Sequence, residues 1–272
     1  MCGIVAVSGP ECGARVSELA GSTLARLEYR GYDSFGFAVA DARQLSFYRS
    51  LEPLAEFDGG LPDASAAIGH TRWATHGGVT LDNCHPHVAR GGEFAVVHSG
   101  IVENHQALRR GLESAGAWFD TATDTEVIAR LLEQLLTRAC PASAMRALHE
   151  RIEGRNAVVV LFEDGEVYAL RAGSPLILGG DGGRAFVASD SYAFEAEANL
   201  CMPLADGQIA RLHEGEVRIT AETDEPVATA WEQMTDVAET AGLEGYRHYM
   251  LKEIMESWLV VSRQLQVGRL GL

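Results

Sequence analysis

The sequence predicts an α+β fold built from two mainly antiparallel sheets covered by helices. Short apolar runs bounded by glycine and acidic residues indicate strands, and apolar residues at helical spacing indicate helices. The order is a strand, a helix, further strands, two or three helices and then many strands. Because this order lacks the regular β-α-β alternation of a doubly wound parallel sheet, layered antiparallel sheets are favoured.

The first half of the chain alternates strands with helices. Apolar runs predict strands at GIVAV (3–7), FGFAVA (35–40), AAIGHTRWA (66–74) and EFAVVHSG (93–100). Helical spacing is found at Val16, Leu19, Ala20, Thr23, Leu24 and Leu27, and again at Val127, Ile128, Leu131, Leu132, Leu135 and Leu136. Thr123 precedes the second helix and Glu126 follows three residues later, which predicts a capping box.

The later part of the chain is richer in strands. NAVVVLF (156–162) is apolar throughout, as expected of a strand covered on both faces. Asp164-Gly165 predicts a hairpin turn into EVYALRA (166–172). Further strands are predicted at PLILG (175–179), AFVAS (185–189), QIARL (208–212) and EVRIT (216–220).

Residues 1–240 are predicted to form one domain, which ends in a polar, acidic surface segment from about residue 221. Residues 241–272 are predicted to be a helical linker or tail. Its apolar residues Trp258, Leu259, Val260 and Val261 have no evident partner within so short a segment. We therefore expect the tail to contact a partner.

Charge and composition disfavour several classes of protein. The net charge of −16 opposes general binding to nucleic acid or to anionic membranes. No apolar run reaches the roughly 18 residues of a membrane span, and no secretory signal is recognisable. The five cysteines are odd in number and include no C-x-x-C pair, which favours the reducing cytoplasm over a disulfide framework.

The segment NCHPH places Cys84 beside His85 and His87, which are potential metal ligands. Two histidines flanking a proline are a weak signal for a metal site. Neither a metal nor another cofactor is predicted.

Cys2 directly follows the initiator methionine. If Met1 is removed, Cys2 carries a thiol and a free α-amine, whose unperturbed pKa of about 8 is close to that of a thiol. The amine can then act as the base that activates the thiol. A small core residue at the start of a strand is the alternative that Cys2 alone leaves open.

Longer motifs resemble a known family. Together with MCGIVAV, they are RLEYRGYDSFGFAV (26–39), GHTRWATHGG (69–78), VVHSGIVENHQAL (96–108) and TDTEVIARL (123–131). They are similar to the class II (N-terminal-nucleophile) glutamine amidotransferases, and most resemble the glutaminase half of glucosamine-6-phosphate synthase. AGSPLILG, ASDSYAF and YRHYMLKEIMES fit the same pattern, so the resemblance covers about residues 2–256. It implies a four-layer αββα sandwich, the N-terminal-nucleophile hydrolase fold.

The resemblance also implies roles for individual residues. Cys2 corresponds to the nucleophile, with its own amine as the general base. Arg72 corresponds to the residue that pairs with the α-carboxylate of glutamine, a role that suits the planar guanidinium group. Asp124 corresponds to the acid that holds the α-ammonium group, and Thr75 and His76 to further residues of the pocket.

Two further matches lie close to the nucleophile. Trp73 corresponds to a residue in the loop that closes over bound glutamine. Arg30 corresponds to a residue near the nucleophile, where a cation favours the thiolate.

The sequence departs from the family at two positions. Ser99 replaces the asparagine whose side-chain amide forms the oxyanion hole together with the backbone N–H of the following glycine, which is Gly100 here, and a serine offers one shorter donor. Loss of an oxyanion donor costs about 2.7–4 kcal/mol of barrier. Phe35 replaces an alanine, which indicates either a compensated core change or an altered pocket or partner contact.

The resemblance implies hydrolysis of L-glutamine to glutamate and ammonia, with ammonia passing to an acceptor. That acceptor is a sugar phosphate if a synthase half is supplied. The expected partners are a separate synthase subunit or missing sugar-isomerase domains, and a homo-oligomer is a further option. Two alternatives remain: an amidotransferase-like biosynthetic enzyme with another amide substrate, and a non-catalytic glutamine-binding regulatory module.

Overall fold

The computed structural model describes residues 2–10, 16–41, 44–234 and 242–269. The chain divides into two compact units, Met1–Asp236 and Val237–Leu272. The predicted domain boundary at residue 240 stays a prediction, because residues 235–241 lie outside the described ranges. In the ranges that are described, no helix has the length and apolarity needed to cross a membrane.

One sheet contains eight strands of the described chain and holds the amino-terminal strand in its interior. In spatial order they are β15 (Glu232–Gln233), β11 (Leu200–Pro203), β9 (Ile177–Gly180), β10 (Ala185–Ala188), β1 (Gly3–Ser8), β4 (Ala66–Arg72), β2 (Ser34–Asp41) and β3 (Gln44–Ser50). Neighbouring strands pair antiparallel. β1 therefore has a ladder partner on each edge.

The other sheet contains seven strands of the described chain, and its neighbours also pair antiparallel. In spatial order they are β14 (Pro226–Val227), β13 (Glu216–Thr220), β12 (Ile209–His213), β8 (Val167–Ala172), β7 (Asn156–Phe162), β6 (Phe94–Gly100) and β5 (His87–Val88). Ser99 on β6 lies opposite Ala157, and Gly100 lies opposite Asn156.

Helices cover the outer face of each sheet. The α-helices of the described ranges are α1 (Val16–Ala25), α2 (His105–Ser114), α3 (Asp124–Leu136), α4 (Pro141–Arg151) and α5 (Tyr249–Arg269). Apolar residues of α1 pack on the eight-stranded sheet, and those of α2, α3 and α4 pack on the seven-stranded sheet. The helices α1 and α3 confirm the two helices predicted from spacing.

A third apolar cluster lies between the sheets, where Ile4 and Ile68 of one sheet pack with Val97 and Val159 of the other. Two sheets face each other, and helices lie outside both, so the predicted four-layer αββα sandwich is confirmed.

Strand β7 explains why its sequence is apolar at every position. Val159 and Leu161 face the layer between the sheets, while Val158 and Val160 face the helices. Alternate side chains of a strand point to opposite faces, so both faces require apolar residues.

Several local features differ from the sequence predictions, among them the short strands β5, β11, β14 and β15, which were not predicted. The strand predicted over 66–74 ends at Arg72, so Trp73 begins a loop. β3 was not predicted, because this edge strand is largely exposed and carries a mixed polar pattern. The Thr123 hydroxyl accepts the N–H of Glu126 as predicted, but the Glu126 carboxylate binds the N–H groups of Asp120 and Thr121 instead of closing the capping box.

The carboxy-terminal unit contains α5, as the tail sequence predicted. Several of its apolar side chains are exposed, including Ile254, Met255, Trp258 and Val261. The polar segment from residue 221 contains the short strands β14 and β15 before the described range ends at residue 234.

Candidate active site

Cys2 lies immediately before β1, and its thiol contacts the first residue of the loop that follows β4. The backbone N–H of Trp73 donates to Sγ of Cys2 at 3.3 Å, and the thiol lies 3.6 Å from the carbonyl oxygen of Trp73. Burial raises the pKa of the Cys2 thiol, an effect only partly offset by the Trp73 N–H and the charge of Arg72. The thiol is therefore protonated at neutral pH and needs a base before it can act as a nucleophile.

Side chains from distant parts of the chain hold the backbone around Cys2. The Cys2 carbonyl oxygen accepts hydrogen bonds from Arg30 Nε at 3.2 Å and Ser99 Oγ at 3.3 Å. The next two N–H groups donate to Thr71 Oγ1 and to Ser189 Oγ, at 3.2 and 3.1 Å. The start of the strand is thus tied to both sheets.

The thiol borders a small polar cavity of about 20 Å³, which we call the polar cavity. Its lining contains most of the residues predicted for the site: Cys2, Arg72, Trp73, Thr75, His76, Gly100 and Asp124, together with His85, His98, Thr123 and Thr125. Arg30 and Ser99 are not among the lining residues. The fold therefore brings together the cation and the acid predicted to bind the two ends of an amino acid.

Arg72 occupies the last position of β4, and its residue is only 3% exposed. Its guanidinium donates to the carbonyl oxygens of His76, Gly77 and Gly78 at 2.7, 3.3 and 3.1 Å. Gly77 has a φ of +76°, which favours glycine at this turn. Arg72 thus organises the loop over residues 73–78 and, with five N–H groups, retains donors for a ligand.

Asp124 is the first residue of α3, where the helix dipole favours an anion. Its Oδ2 accepts the N–H of Val102 at 2.9 Å, while Oδ1 lies 4.0 Å from Nδ1 of His76. Within the described part of the chain, this buried Nδ1 has no hydrogen-bond partner. A carboxylate oxygen and a ring nitrogen are therefore both available to a ligand in the polar cavity.

Trp73 and Thr75 belong to the loop between the cavity and solvent. The Trp73 ring packs edge-on against Tyr32, with ring centres 5.6 Å apart. The N–H of Ala74 donates to Asp33 Oδ2 at 2.8 Å. These contacts anchor the start of the loop, whereas Thr75 in its middle is exposed to solvent.

A second and larger cavity of about 550 Å³, called here the outer cavity, also reaches the nucleophile. It shares Cys2, Trp73, Thr75 and Gly100 with the polar cavity, and adds Ser99, Ile101, Glu103, Arg155, Ser174 and Pro175. The sequence pattern gave no role to Glu103, Arg155 or the Ser174-Pro175 pair. Ser174 and Pro175 lie in the motif AGSPLILG, and this match to the family is the sequence signal that could have indicated them as residues of the site.

The buried histidines His85 and His98 line the polar cavity, a role that the sequence did not indicate. The rings of His70 and His85 stack with centres 3.9 Å apart, and the N–H of His98 donates to His85 Nδ1 at 3.3 Å. The His98 ring is hydrogen-bonded to Thr125 Oγ1 and Asn156 Oδ1, both at 2.9 Å. Burial lowers the pKa of His70 to about 3, and it also lowers the pKa values of His85 and His98. These rings are therefore neutral.

His85 and His87 belong to this packed cluster. Among the described residues, no group of three or more histidine, cysteine or acidic side chains is arranged to hold a metal ion. His87 Nε2 is instead 3.0 Å from Thr123 Oγ1, and Cys84 Sγ is 3.3 Å from the carbonyl oxygen of Thr80.

Neither Arg30 nor Phe35 is among the described lining residues of the two cavities. Arg30 contacts the Cys2 carbonyl oxygen, and its Nη1 lies 3.7 Å from Asp190 Oδ2. The charges that lower the pKa of the Cys2 thiol are those of the terminal amine and Arg72, and do not include that of Arg30. Phe35 is 3% exposed and packs with Phe37, with Tyr48 and with Phe57. The described linings of both cavities at Cys2 leave out Phe35, which favours the compensated core change.

Comparison with known proteins shows what the chain is similar to. Residues 73–196 match the glutamine amidotransferase domain family. The chain is 39% identical to a glutamine–fructose-6-phosphate aminotransferase of Pseudomonas putida, which aligns with 100% of this chain and 45% of that protein. The Thermus thermophilus enzyme of the same name is 40% identical, over 99% of this chain and 45% of that protein. The chain thus spans about half the length of these curated relatives.

Two solved structures share the fold. Glutamine phosphoribosylpyrophosphate amidotransferase of B. subtilis superposes with a TM-score of 0.73 at 23% identity, covering 83% of this chain and 50% of that chain. An allosteric regulatory enzyme of purine biosynthesis superposes with a TM-score of 0.74 at 23% identity, covering 81% of this chain and 49% of that chain. These two structures show the fold alone. The match to a glutamine amidotransferase domain rests on residues 73–196 and on the two curated relatives, each of which aligns with almost all of this chain.

Proposed function

We propose that this chain hydrolyses L-glutamine to glutamate and ammonia, and that the ammonia is transferred to an acceptor. The observation that carries the proposal is the polar cavity, where Arg72, Asp124 and the Cys2 thiol line a single space. A cation and an anion facing one cavity match the two charged ends of an amino acid. In this orientation, the side-chain amide of glutamine lies at the Cys2 thiol.

Binding assigns one end of glutamine to each charged residue. The remaining N–H donors of Arg72 hold the α-carboxylate, and Asp124 Oδ1 accepts from the α-ammonium group. His76 Nδ1, orphaned among the described residues and 4.0 Å from Asp124, is a further partner at the ammonium end. Both charged residues also hold loop backbone, so ligand binding and loop order are linked.

Binding also requires the site to widen. A cavity of about 20 Å³ has room for roughly one water molecule. The loop over residues 73–78 is the part of the wall that must move, because Thr75 is exposed and Gly77 and Gly78 lie within the loop. When the loop returns, Trp73 excludes water from the reacting carbon.

The chemistry uses Cys2 after removal of Met1. The α-amine takes the proton of the thiol, and Sγ attacks the amide carbon to form a tetrahedral intermediate. The intermediate collapses, the C–N bond breaks, and the proton returns to the leaving nitrogen as ammonia departs. Water then attacks the resulting thioester, and the C–S bond breaks to release glutamate and the free thiol.

The acceptor is proposed from the relatives' names. Glutamine–fructose-6-phosphate aminotransferases of about twice this length suggest a sugar phosphate as acceptor, supplied by sugar-isomerase domains or by a synthase subunit. A cytoplasmic location suits that chemistry.

The test is release of glutamate and ammonia from glutamine by purified protein lacking Met1. We expect turnover by the unaltered protein and none by Cys2→Ala, with glutamine binding retained in both. Binding without turnover in the processed protein would instead support the regulatory module. Hydrolysis of another amide but not of glutamine would support the alternative substrate.

A further inference from the structure

The nucleophile of this site lies on the second residue of the chain. Chain ends are poorly ordered unless they are tied down. A thiol that must meet one carbon atom therefore needs its backbone held in place, since small displacements of reacting groups cost rate. The contacts of the Cys2 carbonyl oxygen show how this chain meets that need.

Two side chains converge on that oxygen from separate elements. Arg30 Nε donates at 3.2 Å from the segment before β2, and Ser99 Oγ donates at 3.3 Å from β6 in the opposite sheet. A serine hydroxyl has only one proton to donate. While Ser99 donates that proton in a hydrogen bond to the Cys2 carbonyl oxygen, it cannot donate it to a tetrahedral oxyanion.

Asp190 forms an ion pair with Arg30. Its Oδ2 lies 3.7 Å from Arg30 Nη1 and accepts the Tyr29 hydroxyl at 2.9 Å. Its Oδ1 accepts the N–H of Tyr192 at 3.0 Å, which fixes the carboxylate at the end of β10. Burial and the charge of Asp190 raise the pKa of Tyr29 to about 12, so this hydroxyl remains a donor at neutral pH.

We propose that Ser99 and Asp190 are positioning residues, which aim the Cys2 thiol by fixing its carbonyl group, Ser99 directly and Asp190 through Arg30. This inference rests on the proposed function of Cys2 as the nucleophile. It replaces the predicted oxyanion role of Ser99 with a role in the resting enzyme. The pair of donors on one carbonyl oxygen is called below the carbonyl clamp.

The experiment must separate positioning from oxyanion stabilisation. Alkylation of a thiol by iodoacetamide is a direct displacement in which Sγ forms a bond to carbon and iodide leaves, so no oxyanion forms. A clamp residue should affect this reaction, because the clamp keeps Sγ against the Trp73 N–H that favours the thiolate. An oxyanion donor should not.

We expect Ser99→Ala to slow alkylation of Cys2 by about 2–10-fold, the effect of losing one hydrogen bond. The kcat for glutamine should fall as well, with KM little changed. Ser99→Thr, which keeps the hydroxyl, should restore both. Asp190→Asn should act in the same direction as Ser99→Ala, because it removes the charge beside Arg30.

Two controls are built into the chain. Glu197→Gln removes the ion pair between Arg26 and Glu197, which is 2.5 Å long and lies outside the carbonyl clamp, and should leave both rates unchanged. Cys140 is exposed and can be followed in the same samples by peptide mass spectrometry. Its alkylation rate should be equal in all variants, and equal melting temperatures confirm folding.

The outcomes are distinct. Lower kcat in Ser99→Ala with unchanged Cys2 alkylation would overturn the proposal and assign Ser99 to the oxyanion hole. Unchanged Cys2 alkylation in Asp190→Asn would overturn the role of Asp190. If the unaltered protein hydrolyses no glutamine but the variants still slow alkylation, the clamp stands and the proposed glutaminase activity fails.

Discussion

Arg72 donates a hydrogen bond to the carbonyl oxygen of His76 at 2.7 Å, so the residue proposed to bind the substrate carboxylate also holds the loop that covers the site. Both residues line the polar cavity. A change at Arg72 therefore alters the walls of the site as well as its charge, and variants there must be compared with variants at the opposite end of the ligand.

Recognition of glutamine should depend on both ends of the polar cavity. We expect Arg72→Ala and Asp124→Asn each to weaken glutamine binding by about 1.5–3 kcal/mol, the cost of losing a charged hydrogen-bond partner. Calorimetry on a Cys2→Ala background measures binding without hydrolysis. Asp124→Asn is preferred to alanine because its side-chain oxygen can still accept the Val102 N–H. If both variants bound glutamine as tightly as the Cys2→Ala parent does, the assignment would be refuted.

Activity should require the loss of Met1. The pKa of the buried thiol is raised, so the thiol needs a base, and the proposed base is the α-amine that only processing exposes. Intact mass and glutaminase activity should be measured on the same preparations. Fully active protein that retains Met1 would exclude the amine as base.

Ser99→Asn should raise kcat. An amide has two N–H donors, so one can hold the Cys2 carbonyl oxygen while the other reaches the oxyanion. Ser99 borders the outer cavity, so there is space for a longer side chain. The gain should appear in kcat with KM nearly constant, because the second donor acts in the transition state. A well-placed asparagine with no increase would show that the oxyanion is stabilised elsewhere.

Acid should destabilise the protein through its buried histidines. The pKa of His70 falls to about 3 in the folded state, below its ordinary value of 6.5, so the unfolded chain binds the proton first. Its contribution to stability is complete above pH 6.5 and is lost as the pH falls from about 6.5 towards about 3. We expect His70→Gln, which can still donate to the His98 carbonyl, to reduce this loss. Melting temperature against pH is the measurement, and an unchanged slope would contradict it.

Phe35→Ala should affect stability and spare recognition. The ring is buried among three other aromatic rings, and removing a buried phenylalanine side chain typically costs about 3–5 kcal/mol. Denaturant unfolding should show that loss, while glutamine affinity of the folded protein stays the same. A change in affinity without a change in stability would favour the altered-pocket interpretation.

The sequence predicted those strands and site residues best whose placement depends on local sequence patterns. β7 is apolar because both its faces are buried, and Cys2, Arg72 and Asp124 stand in long motifs, so pattern and resemblance were enough to bring them together. The contacts that were missed join residues far apart in the chain. Neither spacing nor composition indicates that His70 stacks on His85, or that the Ser99 hydroxyl turns to the Cys2 carbonyl oxygen.

Edge and loop positions were the other source of error. β3 pairs on one side only and exposes much of its surface, so its sequence needs no apolar alternation. The Glu126 carboxylate had several N–H groups within reach, and the fold of the preceding loop decided which of them it binds. Such choices depend on tertiary geometry.

The outer cavity has a consequence for inhibitor design. Its described lining includes Cys2 but neither Arg72 nor Asp124, the charged pair proposed to recognise glutamine. An electrophile carrying a compact apolar group can therefore approach the thiol without imitating an amino acid. An inhibitor whose non-reactive part contacts Ile101 and Arg155 would derive its selectivity from residues that the proposed substrate contacts do not include.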